Sequence, residues 1–377
     1  MKAILLAMVG CLSLVMPVFA NEAPTVQQDN FYKGTVKEVL EQYDVDDYGM
    51  LMQVQELRVQ VKKEEKTDVH ITHQVEQGQH AGIPLLAVGD RVVVGETTFE
   101  TDNIHYISDM YRLRGLYWAL ALFLFLAVLF AGKYGARSVL GLAISFAVIM
   151  WYVVPKIMLG WNPLFVSLTG TIAIASTSLY VAHGYKARTT IAFISTVITI
   201  LIAFVLALWV TNITHLFGIG TEEAFFLRYA PIENLNLRWL LLGGMVIGTL
   251  GVLDDVTTAQ AAAVEEIHKA NPSLGTKELY LRGTSVGKEH IVSLVNTLVL
   301  AYTGASLPLL LLFNIYPKPA WVILNSEIVM EEVARMIVGS IALILAVPLT
   351  TAIAAWHFGH GGDKQARKVD GSLGNMI

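Results

Sequence analysis

The chain has 377 residues, of which 54% are hydrophobic and 15% charged, and its mean hydropathy is +0.55. Those values exclude an ordinary soluble protein and point to a membrane protein. The net charge of −5 is concentrated early: residues 21–114 carry 17 Asp and Glu against 9 Lys and Arg, the remainder is near neutral, and nothing in this balance suggests nucleic-acid binding.

Residues 1–20, MKAILLAMVGCLSLVMPVFA, read as a signal peptide: Lys2 opens it, Ala3 to Met16 form the apolar segment, and Val18-Phe19-Ala20 is a small-x-small cleavage pattern. The alternative is an uncleaved helix. The single cysteine, Cys11, falls in this segment and can form neither an internal disulfide nor a cysteine metal cluster. Residues 21–30 are polar and read as a flexible tether. Residues 31–110 then change pattern. FYKGTVKEVLEQ, MLMQVQELRVQVKK, KTDVHITHQV and GDRVVVGET alternate apolar and polar residues between turn signals, as short strands do, and predict a small OB-like β-barrel. His70, His73 and His80 fit either a metal site or a solvated surface; residues three apart on a strand face opposite sides, which favours the surface.

From Leu116 the chain becomes a series of apolar runs near the length that spans a bilayer. The candidates are Leu116–Ala131, Ser138–Val154, Leu164–Val181, Thr190–Val210, Trp239–Val256, Ile291–Phe313 and Ile337–Trp356. They predict a mainly α fold, a polytopic bundle of about seven spans over residues 115–361, with a tail at 362–377. If the signal exports the β-domain, the inner loops and tail hold 11 Lys and Arg against 5 outside, as the positive-inside rule requires of an exported N-domain and a cytoplasmic C-terminus. Thr211–Arg238 reads as an interfacial amphipathic piece, Ala261–Glu289 as two short helices around Asn271–Gly275, and Pro317–Glu332 as an outer loop anchored by Trp321. No internal repeat supports an inverted-repeat transporter.

The residues most in need of a reason lie in GMVIGTLGVLDDVTTAQ. Gly244, Gly248, Gly251 and Asp255 share one helical stripe, and small residues at that spacing admit a close neighbouring helix. Asp255 is therefore expected to face protein, with Asp254 about 100° around the helix. Thr258 lies one turn from both carboxylates, and Thr257 and Gln260 extend the polar end. The next span opens with Lys288, Glu289 and His290 and carries Asn296 and Thr297 at a similar depth, while Ser176, Thr177 and Ser178 make the third span rich in hydroxyls. Two readings stay open. Asp254 and Asp255 cap a helix at the membrane surface and pair with Lys288 or Arg282, or Asp254, Asp255, Thr258 and Asn296 form an ion- or proton-binding site with Thr257, Gln260, Lys288, His290 and Thr297 in support. An intramembrane aspartyl protease needs its carboxylates on different helices, and here both are on one. There is no Gly-rich phosphate loop, nucleophile elbow or zinc helix motif, so neither an enzyme, a cofactor nor a metal centre is expected.

The stretch GVLDDVTTAQAAAVEEIHKANPSLGTKELYLRGTSVGKEHIVSLVNTLVLAYTGASLPLLLLF resembles the YibE/F family of bacterial multi-pass membrane proteins. The LDDVT core, the NPSLG break, the G-K-E-H-I entry and the VNTLVLAYTGASLP span match in order, and the resemblance covers roughly residues 116–361. It implies a polytopic protein of the bacterial cell membrane with an exported β-rich segment, and no particular reaction. It places Asp254, Asp255, Thr257, Gln260, Asn296 and Thr297 in the family motif. The expected function is transport, or ion- or proton-coupled permeation, of an unknown solute, with the lipid bilayer and that solute as partners. The alternative is a non-transporting scaffold or accessory subunit whose β-domain binds an extracytoplasmic protein.

Overall fold

A computed structural model describes residues 30–47, 50–63, 66–76, 83–99, 102–232, 235–315 and 318–373. The expected signal peptide, residues 21–29 of the tether, His80 and the last four residues of the tail lie outside them.

Alternating sequence becomes five antiparallel strands: β1 (Asn30–Asp47), β2 (Met50–Lys62), β3 (Lys66–Glu76), β4 (Arg91–Phe99) and β5 (Asp102–Met110), in the order β3-β2-β1-β4-β5. Register pairs Val36 with Val59 and Val59 with Val69, so the period of two sends Leu57, Val59 and Val61 to one face while Arg58 and Gln60 turn outward. These residues build a core with Val36, Ile71, Val92 and Val94. Register shifts in β1 near Glu38 and in β5, where Ser108 is the extra residue opposite Val93/Val94, bend the sheet into a half-barrel, bringing β3 and β5 toward each other. The buried Gln55 fastens the segment after β3: its amide donates to the Leu86 carbonyl at 3.2 Å and its oxygen accepts from the Leu86 N–H at 2.8 Å. His73, on the same face as Gln55, lies 3.2 Å from the Pro84 carbonyl, whereas His70 is exposed on the other face.

Among the described residues of this unit a carboxylate is buried. Glu96 on β4 is 7% exposed and meets Lys63 Nζ at 2.7 Å and His105 Nε2 at 3.3 Å, with Tyr32 beside it. The Lys63 ammonium also lies 4.8 Å from the Tyr32 ring centre. The hydrogen bond from Lys63, then that from Tyr32, holds the Glu96 carboxyl below the usual range against the opposing effect of burial. A depressed folded-state pKa stabilises above the ordinary carboxylate pKa and is lost as pH falls through the lowered value. Amide hydrogen exchange in β4 and β5 should therefore quicken on acidification below that range. Glu96→Gln, which leaves the Lys63 ammonium without its counter-charge, should quicken it already at neutral pH by about 1–3 kcal/mol of local stability and flatten the acid response.

The helical unit begins in α1 (Leu113–Val148), which continues through a π-helical turn (Ile149–Val153) into α2 (Val154–Met158). As one straight rod these 46 residues would be about 69 Å long, more than twice a hydrocarbon core of about 30 Å. The rod is broken at Gly132, whose φ of 55° suits glycine, and a Cβ built on Gly135 would collide with the Ala127 carbonyl, eight residues back. The remaining elements are α3 (Pro163–His183), α4 (Ala187–Ile213), α5 (Glu222–Arg228), α6 (Leu237–Ala270), α7 (Thr276–Ala305), α8 (Leu307–Ile315), α9 (Ala320–Leu324) and α10 (Glu327–Leu373). Among the described residues, five helices are long and apolar enough to cross a membrane, or six if α7 and α8, bent by 55°, form one broken span. The expected seven runs thus appear as six because the first two are merged in α1, and as five if the bent α7–α8 pair is not counted as a span. The polar stretch 261–289 is not two short helices: it is the end of α6 and the start of α7, separated by residues 271–275.

Side-chain pairs fix the directions of these helices. Gly243 meets Ser167 and Asp254 meets Ser178, so α6 runs parallel to α3. Thr257 lies 2.8 Å from Thr196 and Glu265 3.4 Å from Arg188, so α4 is antiparallel to α6. Tyr152 meets Thr169 at 3.0 Å and Gly141 meets Ser178, so the second part of α1 is antiparallel to α3. α7 runs against α6 and α10, with Gly283 beside Val264 and Thr351, and Gly287 beside Gln260 and Val347. Each helix therefore runs opposite to the previous long one, as a chain crossing a membrane repeatedly must.

The small residues that matter for packing are not those of the expected stripe. Gly244 and Gly251 have no atom within 4 Å of a built Cβ, Gly248 has only the Tyr302 hydroxyl at 3.5 Å, and all three are exposed. α6 buries the opposite side, including Leu242, Met245, Leu253 and Val264. Gly283 and Gly287 on α7 are the close-approach positions, where a Cβ would fall on Val264, Thr351, Val347 and Gln260. Gly287→Leu should thus cost about 1–3 kcal/mol or more by overpacking, visible as a lower melting temperature in detergent, while Gly251→Leu should melt like the parent.

Candidate functional site

α6 is the central helix, packed against α3, α4, α7 and α10. Asn236 starts it by accepting from the Trp239 N–H at 3.1 Å, and it runs uninterrupted to Ala270, where His268 and Lys269 occupy the last turn before Asn271-Pro272. The site residues therefore project from a continuous helix, and their angular positions decide what each touches.

The two aspartates separate. Asp255, in line with the glycines, is exposed, which corrects the expectation that it faces protein. Asp254 points toward α3: its carboxyl lies against the Ser178 hydroxyl, and Oδ1 is buried with no hydrogen-bond partner. Thr258 Oγ1, one turn on, is likewise buried and unpartnered. None of the ion pairs among the described residues includes Asp254 or Asp255. Arg282, one expected partner, pairs instead with Glu278 at 2.9 Å, and Lys288 is exposed on α7.

Gln260 has a different role from the aspartates. It is 1% exposed, and its amide donates to the Gly283 carbonyl at 2.8 Å and to Thr351 Oγ1 at 2.7 Å, tying α6 to α7 and α10. Thr351 can accept because its own proton goes to the Val347 carbonyl at 2.6 Å. Gln260 Oε1, Thr284 Oγ1 and Thr350 Oγ1 are buried without partners around this junction. Thr257 faces α4 and shares a hydroxyl pair with Thr196. Asn296, Thr297, His290 and Lys288 are exposed, and Thr297 returns its proton to the Ser293 carbonyl at 3.0 Å. The expected grouping of Asn296 with the aspartates is thus not formed. One face of α6 holds Asp254 and Thr258 and turns Asp254 toward Ser178 of α3, and another holds the Gln260 junction.

A second buried carboxylate lies at the other end of the bundle. Glu331 on α10 is 2% exposed and accepts from the Gly220 N–H at 2.9 Å. One turn earlier, Glu327 accepts from three successive backbone N–H groups, Phe217 at 2.7 Å, Gly218 at 2.8 Å and Ile219 at 3.2 Å. Sequence reading missed both, because the apolar run was begun at Ile337; the available signal was the i, i+4 pair Glu327/Glu331 followed by Arg335. A groove lined by Tyr302, Thr303, Ser306, Glu332 and Met336 lies between α7–α8 and α10 at this end.

A bundle of long apolar helices with polar groups on inner faces defines a multi-pass membrane protein. Residues 119–360 match the model of the YibE/F-like protein family, and the chain belongs to that family. No curated protein and no solved structure matches the chain.

Proposed function

We propose that this YibE/F-like protein is a transport protein of a bacterial cell membrane that binds a proton or a cation at Asp254 and couples it to movement of an unknown solute. The observation that carries the reading is the buried, unpartnered Oδ1 of Asp254, whose carboxyl lies against the Ser178 hydroxyl, with the buried, unpartnered Thr258 hydroxyl one turn on and no basic side chain paired to the carboxyl. A carboxyl placed in a spanning helix is costly, and a permanent structural role would call for a fixed partner. Glu331 supports the same reading. Aligning α10 with α6 through Gln260 and Thr351 sets Glu331 about 20 Å along the axis from Asp254. The orphaned Ser340 hydroxyl falls between those two levels.

The crossing count in this proposal is seven, with α1 divided at Gly132 and α7–α8 counted as one broken span. The alternating helix directions and the distribution of Lys and Arg support an exported β-domain and a cytoplasmic C-terminus. Reporter fusions check the topology: a fusion after His360 should be active only in the cytoplasm and one in the β3–β4 segment only outside, and the reverse pattern would overturn it.

Proton or cation uptake into liposomes reconstituted with the full-length protein tests the function. Asp254→Asn should bring uptake down to the level of empty liposomes while the melting temperature stays within a few degrees. Asp255→Asn, on the exposed face, should retain most of the flux. Equal flux in the parent and Asp254→Asn would reject the assignment.

A further inference from the structure

Resting on the transport reading, we infer that the species Asp254 binds is a proton and not a metal ion. Counting oxygens decides between them. α3 and α6 are unbroken through the site, so their backbone carbonyls are engaged by helical N–H groups. Nearby hydroxyls lie on other faces: Ser176 and Thr177 are about 200° and 100° around α3 from Ser178 and turn back to the Ala173 carbonyl at 2.9 and 2.8 Å, and Thr257 faces α4, where it is paired with Thr196. What remains on the Asp254 face is its own carboxyl, Ser178 Oγ and Thr258 Oγ1. From α1 it is Gly141, which has no side-chain oxygen, that packs on Ser178.

That is about four protein oxygens carrying one negative charge in all, whereas calcium takes about six to eight oxygens, several from carboxylates and carbonyls, and magnesium would have to bring in between packed helices several waters that it gives up reluctantly. Sodium sites in membrane transporters recruit carbonyls from unwound helix segments, and α6 has no such segment here. A proton needs one carboxylate lone pair and a hydroxyl beside it, both of which are present.

The charged and titratable groups around the site leave this balance intact. On α6 the neighbour is Asp255, exposed and close enough to His183 of α3 to act on it. Tyr180 of α3 has its hydroxyl on Thr190 at 3.2 Å. From α4, Arg188 is engaged by Glu265. α10 has no charged residue between Met336 and Trp356, and Lys288, Glu289 and His290 of α7 are exposed.

The test is an infrared titration of the full-length protein in detergent, which resolves the C=O stretch of a protonated carboxyl from carboxylate bands. A band that appears and disappears with pH in the parent and in Asp255→Asn, and is missing in Asp254→Asn, is the expected result. Ser178→Ala should shift its position by removing the hydroxyl against the carboxyl, which keeps the test open if Asp254→Asn fails to fold. Melting temperatures in sodium, potassium, magnesium and choline chloride at equal ionic strength should coincide. A melting temperature raised by one of the metal ions in the parent and not in Asp254→Asn would overturn the inference, as would a carboxyl band that none of these variants alters. Failure of the transport reading is distinguishable. A band that depends on Asp254, together with liposome proton uptake that does not, keeps the proton site and rejects transport through it.

Discussion

Three helices meet at one amide. Gln260 of α6 sends both its N–H bonds sideways, one into a backbone carbonyl of α7 and one into a hydroxyl of α10. In a medium with no water to replace them, those bonds are worth keeping, and keeping them imposes geometry on everything nearby. α7 must come close enough to offer the Gly283 carbonyl, which requires glycine at 283 and 287. α10 must present Thr351 with its own proton already directed back into the helix. Once α6, α7 and α10 are fixed at this level, the rotation of α6 is fixed too. That rotation turns Asp254 toward α3 and Asp255 away from the bundle.

The same rotation explains what was legible in the sequence. Helical periodicity states which residues share a face, and it grouped Gly244, Gly248, Gly251 and Asp255 correctly. It does not state whether that face is covered. The covering helix was inferred from small size alone, and the side with larger apolar residues, Leu242, Met245 and Leu253, is the one that packs. Gly283 and Gly287 escaped notice because Arg282, Lys288 and Glu289 beside them make the segment look like a solvated connection, although charges on one side of a helix are compatible with close packing on the other. Glu331 was hidden for a related reason: a hydropathy run begins where the charges stop, and α10 begins ten residues earlier, at Glu327.

In the β-domain the strands were readable wherever apolar and polar residues alternate cleanly. β5, with the sequence DNIHYISDM, was not recognised, because its acidic and polar ends blur the alternation. The half-barrel itself follows from local chemistry. Bulges in β1 and β5 curve the sheet, and a buried glutamine closes the segment after β3 over the core. Glu96 shows the limit of sequence reading most plainly. Its partners Lys63, His105 and Tyr32 come from different parts of the chain, and only strand order brings them together.

The carboxylate of Glu327 is held by the backbone of residues 217–219, and Glu331 by that of Gly220. Four amide groups of the loop after α4 are thereby fastened to the first two turns of α10. The two helices share a mechanical coupling at that end, and α4 also lies along α10 through the bundle. The braced pair faces α7–α8 across the groove at the Glu331 end, where that chain bends by 55°, and is tied to α6 and α7 by the Gln260 junction toward the other end.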